Sequence, residues 1–177
     1  MANLDAAMGF NPVGKIGSGP PQKASEYNIT NDVIFQGDAV QIASDSGVLT
    51  QAGVGTTNVG VFWGCNYDDS TGKPVFTNQS VASQASVGFV YDDPYQVFEL
   101  QGDSGTVSAQ TNVGRTADIV VGSGSTTTGV SGMELDASDI GTGANVRILG
   151  FSGNPNRSEV GVANILYEVL INEHLYK

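Results

Sequence analysis

The chain has 177 residues, 18 acidic side chains against seven basic ones, and a formal net charge of −11. That balance excludes general nucleic-acid binding, which needs clustered Lys and Arg. The single cysteine, Cys65, excludes an intramolecular disulfide and an all-cysteine metal site, and no apolar run nears the ~20 residues of a membrane helix.

Residues 1–25 differ in composition from the rest of the chain. They hold Gly9, Gly14, Gly17 and Gly19 and the prolines Pro12, Pro20 and Pro21, which rule out a periodic helix or a central strand. Lys15 and Lys23 against Asp5 give this segment a charge of +1, leaving −12 for residues 26–177. We read it as an extended N-terminal arm in front of a β-rich domain spanning 26–177. A disordered tail is the alternative, but Phe10, Val13 and Ile16 offer apolar anchors that a solubility tail does not need.

From Tyr27 the pattern is strand and turn. Residues 29–35 form one apolar run, Gln36-Gly37-Asp38 a turn, and residues 39–43 alternate with a period of two. A loop at 44–47 precedes Val48-Leu49-Thr50. Residues 59–63 and 73–77 flank Asp68-Asp69-Ser70-Thr71-Gly72, a hairpin with a Gly-containing loop. Phe89 and Tyr91 alternate, the run breaks at Asp93-Pro94, and Val97, Phe98 and Leu100 resume it. Residues 102–143 are rich in Gly, Ser and Thr around a compact strand at Ile119-Val120-Val121, a loop at 122–129 and an alternating Met133-Glu134-Leu135-Asp136. Residues 160–176 read as one long strand crossing the domain, although a helix is arithmetically possible. Short strands with turn signals every ~8–12 residues predict a mainly β fold, an antiparallel barrel or sandwich.

Catalytic grammar is thin. The one histidine, His174, reads as a surface residue near the chain end. No Gly-x-Ser-x-Gly elbow accompanies the many serines. Asp68-Asp69 and Asp92-Asp93 could supply an acid and a base or bind Ca²⁺, but neighbours in a strand face opposite ways and both pairs sit at turn signals. Thr71-Gly72-Lys73-Pro74 lacks the earlier glycine and the following Ser or Thr of a phosphate loop. Cys65 reads as a small buried hydrophobe. No metal, no cofactor and no enzymatic activity are expected.

The order of turn and strand motifs carries a resemblance. Gly60-Val61-Phe62, Gly64-Cys65, Tyr67-Asp68 and Ser70-Thr71-Gly72-Lys73-Pro74 are followed by Asp92-Asp93-Pro94, Val97-Phe98-Glu99 and Gln101. Then come Gln110-Thr111-Asn112-Val113-Gly114, Thr128-Gly129-Val130-Ser131-Gly132 and Val146-Arg147-Ile148-Leu149-Gly150-Phe151. This order is similar to that of the head decoration, or cement, proteins of tailed bacteriophages, over most of residues 31–176. The resemblance implies a structural protein on the capsid surface of the virion, with the major capsid protein as partner. Lattice symmetry suggests a homo-oligomer, most simply a trimer. The contacts expected are Phe10, Val13, Ile16 and Pro20, with Lys15 and Lys23 pairing to acidic shell residues. A tail or neck structural protein, a carbohydrate-binding module using Trp63, Tyr67 or Tyr95, and a hydrolase stay open at this point.

Overall fold

The computed structural model describes residues 3–17, 19–20, 24–103 and 110–177. In chain order the strands are β1 (Asn11–Lys15), β2 (Ser25–Ile29), β3 (Ala39–Ile42), β4 (Leu49–Gln51), β5 (Gly60–Asp68), β6 (Pro74–Thr77) and β7 (Ser86–Tyr91). They continue as β8 (Gln96–Gln101), β9 (Thr116–Ala117), β10 (Ile119–Val120), β11 (Glu134–Leu135), β12 (Val146–Phe151) and β13 (Leu166–Ile171). One sheet has five strands in the order β1-β8-β13-β12-β9. The other has six, β2-β7-β5-β3-β4 with β6 also on β5, and β10 pairs with β11 in a short ladder. Every ladder between named strands is antiparallel. The result is a mainly β, antiparallel sandwich, one of the two architectures that the strand-and-turn spacing predicts.

Two apolar cores hold it. The larger lies between the sheets and contains Phe10, Val61, Phe98, Leu100, Val146, Ile148, Tyr167, Val169 and Ile171. The smaller lies on the reverse of the six-stranded sheet, where Ile29, Val40, Leu49, Phe62, Cys65 and Val90 meet. Adjacent residues divide between them, Ala39 and Val61 to one, Val40 and Phe62 to the other, as strand alternation requires. The outer strands β2 and β4 lie close to each other, so the sheet curls around the smaller core.

A bulge in β5 makes this packing possible. Its register against β7 shifts between Phe62 and Gly64, leaving Trp63 as the extra residue. Strict alternation would put Phe62 and Cys65 on opposite faces. With the bulge both are buried in the same core, and Trp63 turns outward, 39% exposed.

Residues 3–17, where composition predicts an extended arm, pack against this sandwich, and β1 is one of its strands. Phe10 is 2% exposed and packs edge-on against Phe98, ring centroids 5.8 Å apart. Its N–H donates to the Gly37 carbonyl at 2.8 Å. Gly9, at φ +65°, lies so close to Gly37 and Ser131 that a Cβ would sit 2.4 Å from the Gly37 oxygen. β1 then pairs with β8 at the sheet edge. Proline excludes a central strand but not an edge: Pro12, which has no N–H, and the register shift between Pro12 and Gly14 blunt the free side. Farther back, the buried Asn3 amide donates to the Glu159 and Ala163 carbonyls and accepts from the Glu159 N–H.

Two other expectations change. The run at 29–35 is not a strand: β2 ends at Ile29, and Asp32 turns its carboxylate onto the Val33 and Gln51 N–H groups, an alternative to ladder pairing. The run at 160–176 yields only β13, six residues long. Asn164 takes a left-handed φ of 59°, and a turn at 160–161 with bends at 162–164 precedes the strand. β13 is central in its sheet with Leu166 and Leu170 buried as well as Tyr167, Val169 and Ile171, so both faces are covered.

Candidate functional site

The carboxylates serve the turns they stand in. Asp69 Oδ1 accepts from the Thr71 N–H (2.8 Å), the Thr71 hydroxyl (2.7 Å) and the Lys73 N–H (3.1 Å), which closes the β5–β6 hairpin. These donors, the Thr71 hydroxyl foremost, hold its carboxyl below the usual range. Asp92 and Asp93 diverge. Asp92 accepts from Ser25 Oγ and the Tyr27 hydroxyl, while Asp93 accepts from the Tyr95 N–H and pairs with Lys15 Nζ at 2.9 Å. Asp136 caps a single 3₁₀ turn by accepting from the Ser138 N–H. Among the described residues no three His, Cys, Asp or Glu side chains are grouped to hold a metal ion.

Cys65 is fully buried, its Sγ 3.5 Å from the Gln79 carbonyl, and burial pushes the thiol's pKa up, which favours the protonated form. His174, expected at the surface, is only 6% exposed. The chain end folds back on the loop before β5: the Asn58 N–H donates to the Glu173 carbonyl and the Leu175 N–H to the Asn58 carbonyl. The His174 Nδ1 accepts from the Tyr176 N–H, so the neutral ring carries its proton on a buried Nε2 with no hydrogen-bond partner among the described residues. Burial holds its pKa below the ordinary value.

The expected contact residues do not form one surface. Phe10 points into the core, Lys15 is paired with Asp93, and Lys23 lies outside the described residues. Val13, Ile16 and Pro20 are exposed, Val13 at 42% on the edge strand. The three aromatics considered for sugar binding are also dispersed. Trp63 stands on the β5 bulge, and Tyr67 lines a depression with Asn28, Val48 and Ser86. Tyr95 lies in the turn before β8.

What the folding does bring together is an aromatic basin on the face of the six-stranded sheet that carries Val61, opposite the face covered by the smaller core. Trp63 from β5, Phe76 from β6, and Phe89 and Tyr91 from β7 line a depression of about 430 Å³, rimmed by Glu26 and Asn66. Trp63 meets Tyr91 edge to face at 5.6 Å, and Phe76 lies 6.2 Å from Phe89. Phe76 is 58% exposed. Its ring lies over Gly64, where a Cβ would come within 2.6 Å of the ring tip, so the glycine admits the ring. Trp63 also lines an adjoining hollow of about 240 Å³, walled by Met8, Asn11, Gln36 and Val130 with Phe10 among its lining. Alternation flags Phe89 and Tyr91 as one face, but no local signal joins them to Phe76. Comparison with protein-family models, curated proteins and solved structures found no match for this chain.

Proposed function

We propose that this chain is a structural virion protein that decorates the outer surface of a tailed-phage head and ties neighbouring major capsid subunits together. The observation that carries the reading is the aromatic basin. Water-exposed Trp and Phe side chains gathered in one place mark a docking surface. The paired carboxylates that could have served as acid and base are bonded to turn donors or to neighbouring strands, Asp69 to Thr71 and Lys73, Asp92 to Ser25 and Tyr27, Asp93 to Lys15, which supports a binding role over a catalytic one. Packaged DNA presses a capsid outward, and a protein that contacts two subunits opposes their separation by mass action alone. Repetition of lattice symmetry makes a homo-oligomer, most simply a trimer, the expected state on the particle.

The basin argues for a protein partner over a sugar. Trp63 and Tyr91 stand edge to face instead of forming a flat platform, and Phe76 and Phe89 have no polar atoms with which to meet hydroxyls. The test is to mix the full chain with undecorated heads and measure co-sedimentation and the heat resistance of the shells. Binding with a rise in shell stability is expected. Failure to bind heads, or binding confined to tails or necks, would overturn the decoration reading.

A further inference from the structure

We infer that the Trp63 basin receives an extended segment of a partner protein that is apolar on one face and bears Lys or Arg, and does not receive a second copy of this chain. The inference rests on the proposed docking role and deepens it by fixing the partner's chemistry.

Shape favours an extended segment, because Trp63 lines two adjoining hollows, one walled by Phe76, Phe89 and Tyr91 and the other by Met8 and Val130. An extended chain puts every second side chain on one face, ~6.6–6.8 Å apart, so apolar residues at i and i+2 can fill hollows on either side of the indole. Charge decides between occupants. Residues 24–93, which contain the whole six-stranded sheet, carry Glu26, Asp32, Asp45, Asp68, Asp69 and Asp92 against Lys73, a net charge of −5 once the buried Asp38 and the Lys15-paired Asp93 are set aside. Glu26 stands on the rim of the basin itself. Two copies meeting face to face would oppose these charges, and like-charge juxtaposition disfavours that pairing. A cationic partner gains from the same field in both rate and specificity.

Trp63 is the only tryptophan in the chain, so its fluorescence reports occupancy of the basin directly. The probe is a synthetic peptide alternating Leu and Lys, with a Leu–Glu peptide of equal length beside it, titrated into the full chain while Trp63 emission is followed. The Leu–Lys peptide should give a saturable blue shift that weakens as salt is raised, and the Leu–Glu peptide none. Phe76→Ser removes an exposed ring and should leave the melting temperature near that of the wild type, yet weaken Leu–Lys binding at least about tenfold. Glu26→Lys should weaken it as well. Equal shifts from both peptides, no shift from either, or unchanged affinity in Phe76→Ser would overturn the inference. So would a concentration-dependent dimer that Phe76→Ser abolishes, since the occupant would then be a second copy. Because no phage head enters this assay, its failure is distinct from a failure of decoration.

Discussion

Replacing Phe10 with alanine should destabilise the whole domain, although the residue stands in a glycine- and proline-rich segment near the start of the chain. The ring is 2% exposed, sits edge-on to Phe98 at 5.8 Å, and belongs to the core between the sheets. Losing a buried phenyl ring and leaving a cavity costs ~3–5 kcal/mol. That is a large share of the ~5–15 kcal/mol that holds an ordinary domain folded. Urea unfolding followed by far-UV circular dichroism should show the midpoint falling by roughly 2 M at an unchanged slope. Val13→Ala, on the same segment but 42% exposed, should stay within about 0.5 kcal/mol of the wild type. A Phe10→Ala loss below about 1 kcal/mol would refute the reasoning. It would return the segment to the role of a free arm with Phe10 as an anchor for a partner.

Gly9→Ala tests the same docking through the backbone. A Cβ there would meet the Gly37 carbonyl, and φ is +65°, so thermal melting should drop by an amount equivalent to at least ~1 kcal/mol; no change would mean that residues 9 and 37 are not in contact. Acid sensitivity should trace partly to His174. Its folded pKa lies below the unfolded value, so the unfolded chain binds more protons between the two, and stability falls as pH drops through about 6.5 and levels off below the folded pKa. Asp38 and Glu134, raised by burial, act in the opposite sense at lower pH: their contribution is full below their unfolded values and is lost as pH rises through their folded ones. The difference between wild type and His174→Gln isolates the imidazole. The variant should lose the slope in the window beneath about pH 6.5, and an unchanged slope would contradict the buried neutral histidine.

Local chemistry made much of the fold legible. The β5–β6 hairpin could be read because its turn is written in adjacent residues, Asp69 reaching Thr71 and Lys73, with Gly72 at φ +78° supplying the left-handed position. Alternation marked Ala39–Ile42 because the two faces of β3 see different surroundings; it also marked the β11 region, while β10 was legible as a compact β-branched run. Alternation failed for β13, where the sheet is covered on both sides and Leu166 is buried as fully as Val169. The candidate site was legible only in part: Trp63 was singled out as an exposed aromatic, but its companions were not. Phe76 reaches the basin because β6 pairs back on β5, Phe89 and Tyr91 because β7 pairs on its other side, and Trp63 faces outward because a one-residue bulge breaks the period of β5. Composition and spacing thus determined a β-rich, acidic chain with closed turns, since those depend on neighbours within a few residues. The tertiary structure alone decided that Phe10 is core. Its partner Phe98 is far away in the chain, and whether an apolar side chain anchors a partner or fills its own sandwich depends on which distant strand closes over it.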